Sequence, residues 1–153
     1  MNNKVICYFS ASGRTKMVSE KVSKLLNTDL FEIVPKEKYT NEDLDWTNKN
    51  SRSSVEMEKD IKPEIVNKLE NINKYSDVII SFPVWWYKEP TIIDKFIEEN
   101  NLDGKNIYIF VTSGSSTYDG SFQNLKTKYP NLNFVSGKTL NHISEDELLN
   151  WIK

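Results

Sequence analysis

Apolar positions along the chain fall into five short runs separated by segments of helical spacing. Val5-Ile6-Cys7-Tyr8-Phe9 is the first run, Val78-Ile79-Ile80-Ser81-Phe82 the third and Ile107-Tyr108-Ile109-Phe110-Val111 the fourth. These three are apolar on both faces, as strands covered on both sides must be. The second run, Leu30 to Val34, is interrupted by Glu32 and reads as a less buried strand. A weaker fifth run starts at Phe134-Val135 and extends toward Leu140.

Helical spacing fills the gaps. Val18, Val22, Leu25 and Leu26 share one face, and Ile92, Ile93, Phe96 and Ile97 form another stripe. Ile65, Leu69 and Ile72 predict a helix with Pro63 in its first turn. Phe122 and Leu125 suggest a further helix. Leu148, Leu149 and Ile152 close the chain behind a capping-box pattern at Ser144 and Glu147. Strand and helix therefore alternate, which predicts an α/β fold: a parallel sheet with helices on both faces and right-handed crossovers. Pro35 to Lys59 breaks the alternation, with no clear period. Tyr39 and Trp46 inside it argue for a packed functional loop.

Composition narrows the function. A chain of 153 residues is one domain, spanning 1–153. The net charge of −2 gives no basic excess for nucleic acid or an anionic membrane. One cysteine excludes a disulfide framework, a cysteine-built zinc site and an iron–sulfur cluster, and one histidine excludes a histidine-rich metal centre. No apolar run approaches the ~18 residues of a membrane span, and the N-terminus lacks a signal-peptide layout. The expectation is a cytoplasmic protein with no metal, no nucleic-acid partner and no membrane insertion.

The chemistry concentrates in three loops that leave strand carboxyl ends, where ligands of open α/β sheets bind. Ser10-Ala11-Ser12-Gly13-Arg14-Thr15 feeds a helix N-terminus with three hydroxyls, an Arg and one Gly, a setting that suits phosphate. An ordinary N-cap would need only one such residue. The glycines at 13, 104, 114, 120 and 137 build neither G-x-G-x-x-G nor a Walker loop. Cys7 and Arg14 are spaced one residue too far apart for a phosphatase loop, so Cys7 reads as a buried hydrophobe. Pro83-Val84-Trp85-Trp86-Tyr87-Lys88-Glu89-Pro90 sets three aromatics between two prolines, an aromatic wall of which at least one ring is expected to fold back into the core. Trp85 and Trp86, nearest Pro83, are the expected ring contacts, with the remaining rings packed on the sheet or the long loop. Thr112-Ser113-Gly114, continuing to Gly120, is small and polar and permits close backbone approach.

Phosphate cradle, aromatic wall and polar edge together describe a site for a mononucleotide with a flat ring. On Tyr8 to Thr15, Phe82 to Tyr87 and Thr112-Ser113-Gly114, with Asp43-Leu44-Asp45-Trp46 and Ser51-Arg52-Ser53, the sequence resembles flavodoxin-like FMN-binding proteins, specifically the short flavodoxins of anaerobic bacteria. The resemblance spans nearly the whole chain. It implies a flavodoxin-like three-layer sandwich with strand order 2-1-3-4-5 and non-covalent FMN. By position it assigns phosphate to Ser10, Ser12, Gly13, Arg14 and Thr15. It assigns the ring to Pro83, Val84, Trp85, Trp86, Tyr87, Thr112, Ser113 and Gly114. Ser12 stands where the family has threonine, and Arg14 where it has asparagine, so Arg14 either meets phosphate or points into solvent.

The leading expectation is a flavodoxin, a monomeric electron carrier between redox partner proteins, with no catalytic side chain of its own. Acidic residues near the mouth, Asp43, Asp45, Glu89 and Asp119, would make a negatively charged ring costlier. The alternative is a small FMN-dependent NAD(P)H oxidoreductase acting on quinones or similar acceptors, favoured by the long Pro35 to Lys59 segment. A third reading is a flavin-free scaffold that binds partners.

Overall fold

The computed structural model describes residues 3–113, 117–140 and 145–151. The five apolar runs form one parallel sheet: β1 (Lys4–Tyr8), β2 (Asp29–Glu32), β3 (Asp77–Pro83), β4 (Asn106–Thr112) and β5 (Asn133–Thr139). Its order is β2-β1-β3-β4-β5, as expected. The period of two divides each central strand between two cores. Val5, Cys7, Val78, Ile80, Ile107 and Ile109 face a layer containing α3 (Thr91–Glu99) and α4 (Asp119–Lys128). Ile6, Ile79 and Phe110 face α1 (Arg14–Leu26) and α5 (Glu145–Trp151), through Val22, Leu25 and Trp151. Cys7 is wholly buried in β1, and desolvation pushes its thiol well above the ordinary range.

The predicted helix over Ile65 to Ile72 does not form. Residues 64–66 are extended and pair with the chain leaving β2: Lys36 N–H donates to the Glu64 carbonyl at 2.9 Å and Val66 N–H to the Val34 carbonyl at 2.9 Å. Asn67 completes the join, accepting from Val34 N–H at 3.1 Å and donating to the Glu32 carbonyl at 2.6 Å. Ile65, Leu69 and Ile72 still pack on the main core. Their spacing reports which residues are buried; it does not report the backbone. Only a short 3-10 turn, Ile72–Lys74, is helical there.

The helix lies inside the supposed loop instead, as α2 (Arg52–Lys59). Ser51 caps it by accepting from Ser54 N–H. Its buried residues are Ser53, Ser54 and Glu56, so it carries no apolar stripe to reveal it. Ser144, the side chains of Glu147 and Leu148, and Ile152 lie outside the described residues.

Candidate functional site

The first, second and third strand-end loops converge at the carboxyl edge of β1, β3 and β4. Gly13 caps α1 at φ 96°, a conformation glycine tolerates, and open space surrounds its Cα where a side chain would stand. Gly13 N–H donates to Ser10 Oγ at 3.1 Å, which folds the loop over the helix end. No acidic residue occupies the first turn of α1, so the positive end of the helix dipole is uncompensated. Ser12, Gly13 and Arg14 are exposed there. Thr15 is buried, and its hydroxyl lies 2.8 Å from that of Thr112. Arg14 does not simply point into solvent: its guanidinium donates to the Ser113 carbonyl at 3.3 Å. The Thr15–Thr112 and Arg14–Ser113 contacts thus join the first loop to the third.

The second loop is a tight hairpin. Val84 N–H donates to the Thr112 carbonyl at 3.0 Å, docking the start of the loop on β4. Trp85 N–H then donates to the Lys88 carbonyl at 2.9 Å, and Lys88 N–H to the Trp85 carbonyl at 3.0 Å. The two residues between them, Trp86 and Tyr87, have φ of 48° and 65°. This mirror-image turn ordinarily uses Asn and Gly, and positive φ is strained for bulky side chains.

The hairpin sorts the three aromatics differently from their distance to Pro83. Trp85 turns inward, edge-on to Phe9 at 5.8 Å and to Tyr39 at 5.4 Å. It is the ring that folds back. Trp86 and Tyr87 point outward, 41% and 74% exposed. Tyr87 therefore does not pack on the sheet as expected. Its carbonyl abuts Gly120 so closely that a Cβ there would lie 2.2 Å from the oxygen. Gly120 thereby seats α4 against the hairpin. Gly114 lies outside the described residues.

The segment after β2 folds over this edge. Arg52 stacks 3.9 Å above the Tyr39 ring, donates to Glu56 at 3.0 Å and to the Glu37 carbonyl at 2.8 Å, and pairs with Asp43 at 3.8 Å. Tyr39 donates its hydroxyl to Glu56, and burial together with that carboxylate pushes the phenol upward. Held this way, the segment and the hairpin enclose a cavity of about 370 Å³ lined by Leu44, Trp46, Ser53, Val84, Trp85, Trp86 and Tyr87. The Ser53 hydroxyl is buried and has no hydrogen-bond partner. Buried polar atoms are rarely left so, and this one borders the cavity, so a polar ligand group is the partner it fits. A helix N-terminus with no acidic residue in its first turn, outward aromatics and this unsatisfied hydroxyl fit a phosphorylated flat-ring cofactor. The Ser51-Arg52-Ser53 motif was the signal for Ser53, but only folding placed it opposite Trp85.

Glu89 does not belong to the mouth. It is 1% exposed, receives Asn124 Nδ2 at 2.9 Å and pairs with Lys128 at 3.3 Å. Asp43 is tied to Arg52, Asp45 accepts from Thr47 N–H at 3.1 Å, and Asp119 accepts from the Thr117 hydroxyl at 2.7 Å. No helix among the described residues is long and apolar enough to cross a membrane.

Comparison with known proteins agrees with this geometry. The flavodoxin family model matches residues 3–153. A Bacteroides eggerthii protein described as a candidate flavoprotein is 43% identical, with a TM-score of 0.95 over 99% of this chain and 96% of its own. A second candidate flavoprotein, from Bacteroides uniformis, is 39% identical, with a TM-score of 0.92 over 99% of this chain and 97% of its own. A Lactobacillus acidophilus flavoprotein solved in complex with FMN shares the fold at 22% identity and a TM-score of 0.80, over 100% of both chains. Among curated proteins the sequence has no match. The chain belongs to the flavodoxin family.

Proposed function

We propose that this member of the flavodoxin family binds FMN non-covalently and carries electrons between redox partner proteins. The observation that carries the reading is the convergence of three furnished loops on one sheet edge, with Ser53 unsatisfied beside them. The FMN complex of the Lactobacillus acidophilus relative supports the same cofactor. Ser10, Ser12, Gly13, Arg14 and Thr15 are assigned to the phosphate. Pro83 to Tyr87, with Thr112, Ser113 and Gly114, are assigned to the ring. FMN, when bound, supplies the redox chemistry. The chain's own part is to bind, orient and partly desolvate. The amides at the start of α1 hold the phosphate, the Thr15–Thr112 and Arg14–Ser113 contacts fix the loop spacing, and the hairpin presents Trp86 and Tyr87.

A second reading has one observation in its favour. The cavity between the 43–53 segment and the hairpin has room for a small planar acceptor, which suits an FMN-dependent NAD(P)H oxidoreductase acting on quinones. Steady-state oxidation of NADH and NADPH by the FMN-loaded protein separates the two. Turnover with a simple quinone and no separate reductase would overturn the carrier reading. Protein that takes up no added FMN, followed by flavin absorbance, would overturn both and leave a flavin-free scaffold.

A further inference from the structure

Behind the hairpin, the face of α4 turned toward it is polar. Gly120, Asn124 and Lys128 recur at helical spacing. Gly120 abuts the Tyr87 carbonyl, Asn124 donates to both Glu89 oxygens at 2.9 Å, and Lys128 bridges Glu89 at 3.3 Å and Asp94 at 3.2 Å. Glu89 directly follows the hairpin, and α4 directly follows the third loop. One buried side chain thus ties together the two loops assigned to the flavin ring. Two carboxylates share a single ammonium, which lies 3.2 Å from Asp94 Oδ2 and 3.3 Å from Glu89 Oε2. A proton on Glu89 would balance the charge, leaving one carboxylate against one ammonium.

We propose that Glu89 is a positioning residue for the ring site, gripping α4 from the base of the hairpin, and that one exchangeable proton in the Glu89–Asp94–Lys128 cluster sets how firmly it grips. The inference rests on the flavin reading above. Glu89 is shielded from solvent, so it acts through the seam and not by touching a ligand at the mouth.

The charges facing it are few. Asp94 and Glu98 come from α3 and Lys128 from α4, while the Tyr129 hydroxyl donates to Asp94 at 3.0 Å and to Glu98 at 2.9 Å. Lys62 pairs with Glu98 at 3.7 Å. Burial, then the Asp94 charge and a hydrogen bond to Asp94, raise the Glu89 carboxyl to about 7, against the opposing pull of Asn124. Below that pH the cluster holds one carboxylate against one ammonium. Above it Glu89 carries a charge shut away from water and beside Asp94 of α3, both carboxylates sharing the Lys128 ammonium; opening the seam to water relieves that burial, so the hairpin loosens.

Riboflavin is the probe, because the phosphate of FMN titrates near pH 6 itself. Quenching of riboflavin fluorescence gives its affinity from about pH 5.5 to about pH 8.5, spanning the Glu89 titration. Wild type is expected to lose affinity by about five- to tenfold above neutrality, and Glu89→Gln to give a flat profile. A flat wild-type profile, or the same fall in Glu89→Gln, overturns the proposal. If Glu89→Gln fails to fold, Asp94→Asn serves: removing the facing charge moves the wild-type midpoint to lower pH, and an unmoved midpoint overturns the proposal. If neither riboflavin nor FMN binds at any pH, the flavin reading fails, and the seam is read in the protein alone. Hydrogen exchange at the paired Trp85 and Lys88 amides, corrected for intrinsic rates, should then lose protection above neutrality in wild type only. Constant protection overturns the proposal.

Discussion

The buried hydroxyls of Thr15 and Thr112 lie 2.8 Å apart, bonding the first turn of α1 to the end of β4. Replacing either by Val leaves the other unpaired in the interior, at a cost of about 1–3 kcal/mol. The double variant Thr15→Val, Thr112→Val should cost less than the sum of the single variants, because both lose one interaction. Urea unfolding of the four proteins measures this. Strict additivity would mean that the pair does not couple the loops.

Ser12→Ala should weaken FMN roughly ten- to a hundredfold, since a hydrogen bond to a charged group contributes about 1.5–3 kcal/mol. Riboflavin lacks the phosphate, so its affinity should barely move. Parallel titrations of both flavins decide the matter; equal losses would remove Ser12 from the phosphate site.

Ser53 gives a prediction with opposite signs for stability and binding. Its buried hydroxyl has no partner, so Ser53→Ala should leave the flavin-free protein unchanged or more stable by about 1 kcal/mol. The same change should weaken riboflavin binding several-fold if the hydroxyl faces the ring system. Thermal unfolding without ligand and riboflavin titration provide the two readings. An alanine variant that binds normally would show that Ser53 faces no ligand.

Trp86 and Tyr87 hold positive φ of 48° and 65°. Replacing the pair by Asn and Gly supplies the residues this turn prefers and should stabilise the flavin-free protein by about 1–2 kcal/mol per relieved residue at most. Riboflavin affinity should fall together with the rise in melting temperature. Unchanged affinity would assign both rings to a protein-facing surface.

The acid limb of stability follows from Glu89. Its folded value, about 7, exceeds its ordinary 4.5. The folded state therefore binds the proton more tightly, and the associated stability is fully present below about pH 4.5 and lost as pH rises through about 7. Relative to Glu89→Gln, wild type should lose stability across that window and run parallel outside it. Urea midpoints of both proteins at several pH values give the difference directly.

Strands and loops were legible because their signals are local. Runs apolar on both faces identify β1, β3 and β4, and hydroxyls crowded before a helical stripe mark the loop at Ser10 to Thr15. The errors came where burial and backbone part company. Ile65 and Leu69 reach the core from a non-helical segment and Ile72 from a 3-10 turn, while α2 buries Ser53, Ser54 and Glu56 and shows no apolar period. The direction of each aromatic was equally hidden, because the turn at Trp86 and Tyr87 violates residue preference and is set by the Trp85–Lys88 pairing. The sequence sets Glu89 at the mouth because the partners that bury it, Asn124 and Lys128, lie more than thirty residues away.

The single thiol of Cys7 sits in β1 with no exposed surface, between β2 and β3. A disulfide-exchange reagent in solution can reach it only when the middle of the sheet comes apart, since fraying of loops or of α5 leaves β1 enclosed. In purified protein its modification rate is then a clock for whole-chain opening, read as the mass added to the single thiol. At low reagent the rate reports the equilibrium population of the open state, and at high reagent it approaches the opening rate itself. The same burial keeps the folded protein from cross-linking through this thiol on storage, so oxidised dimers in a preparation would mark material that had already unfolded.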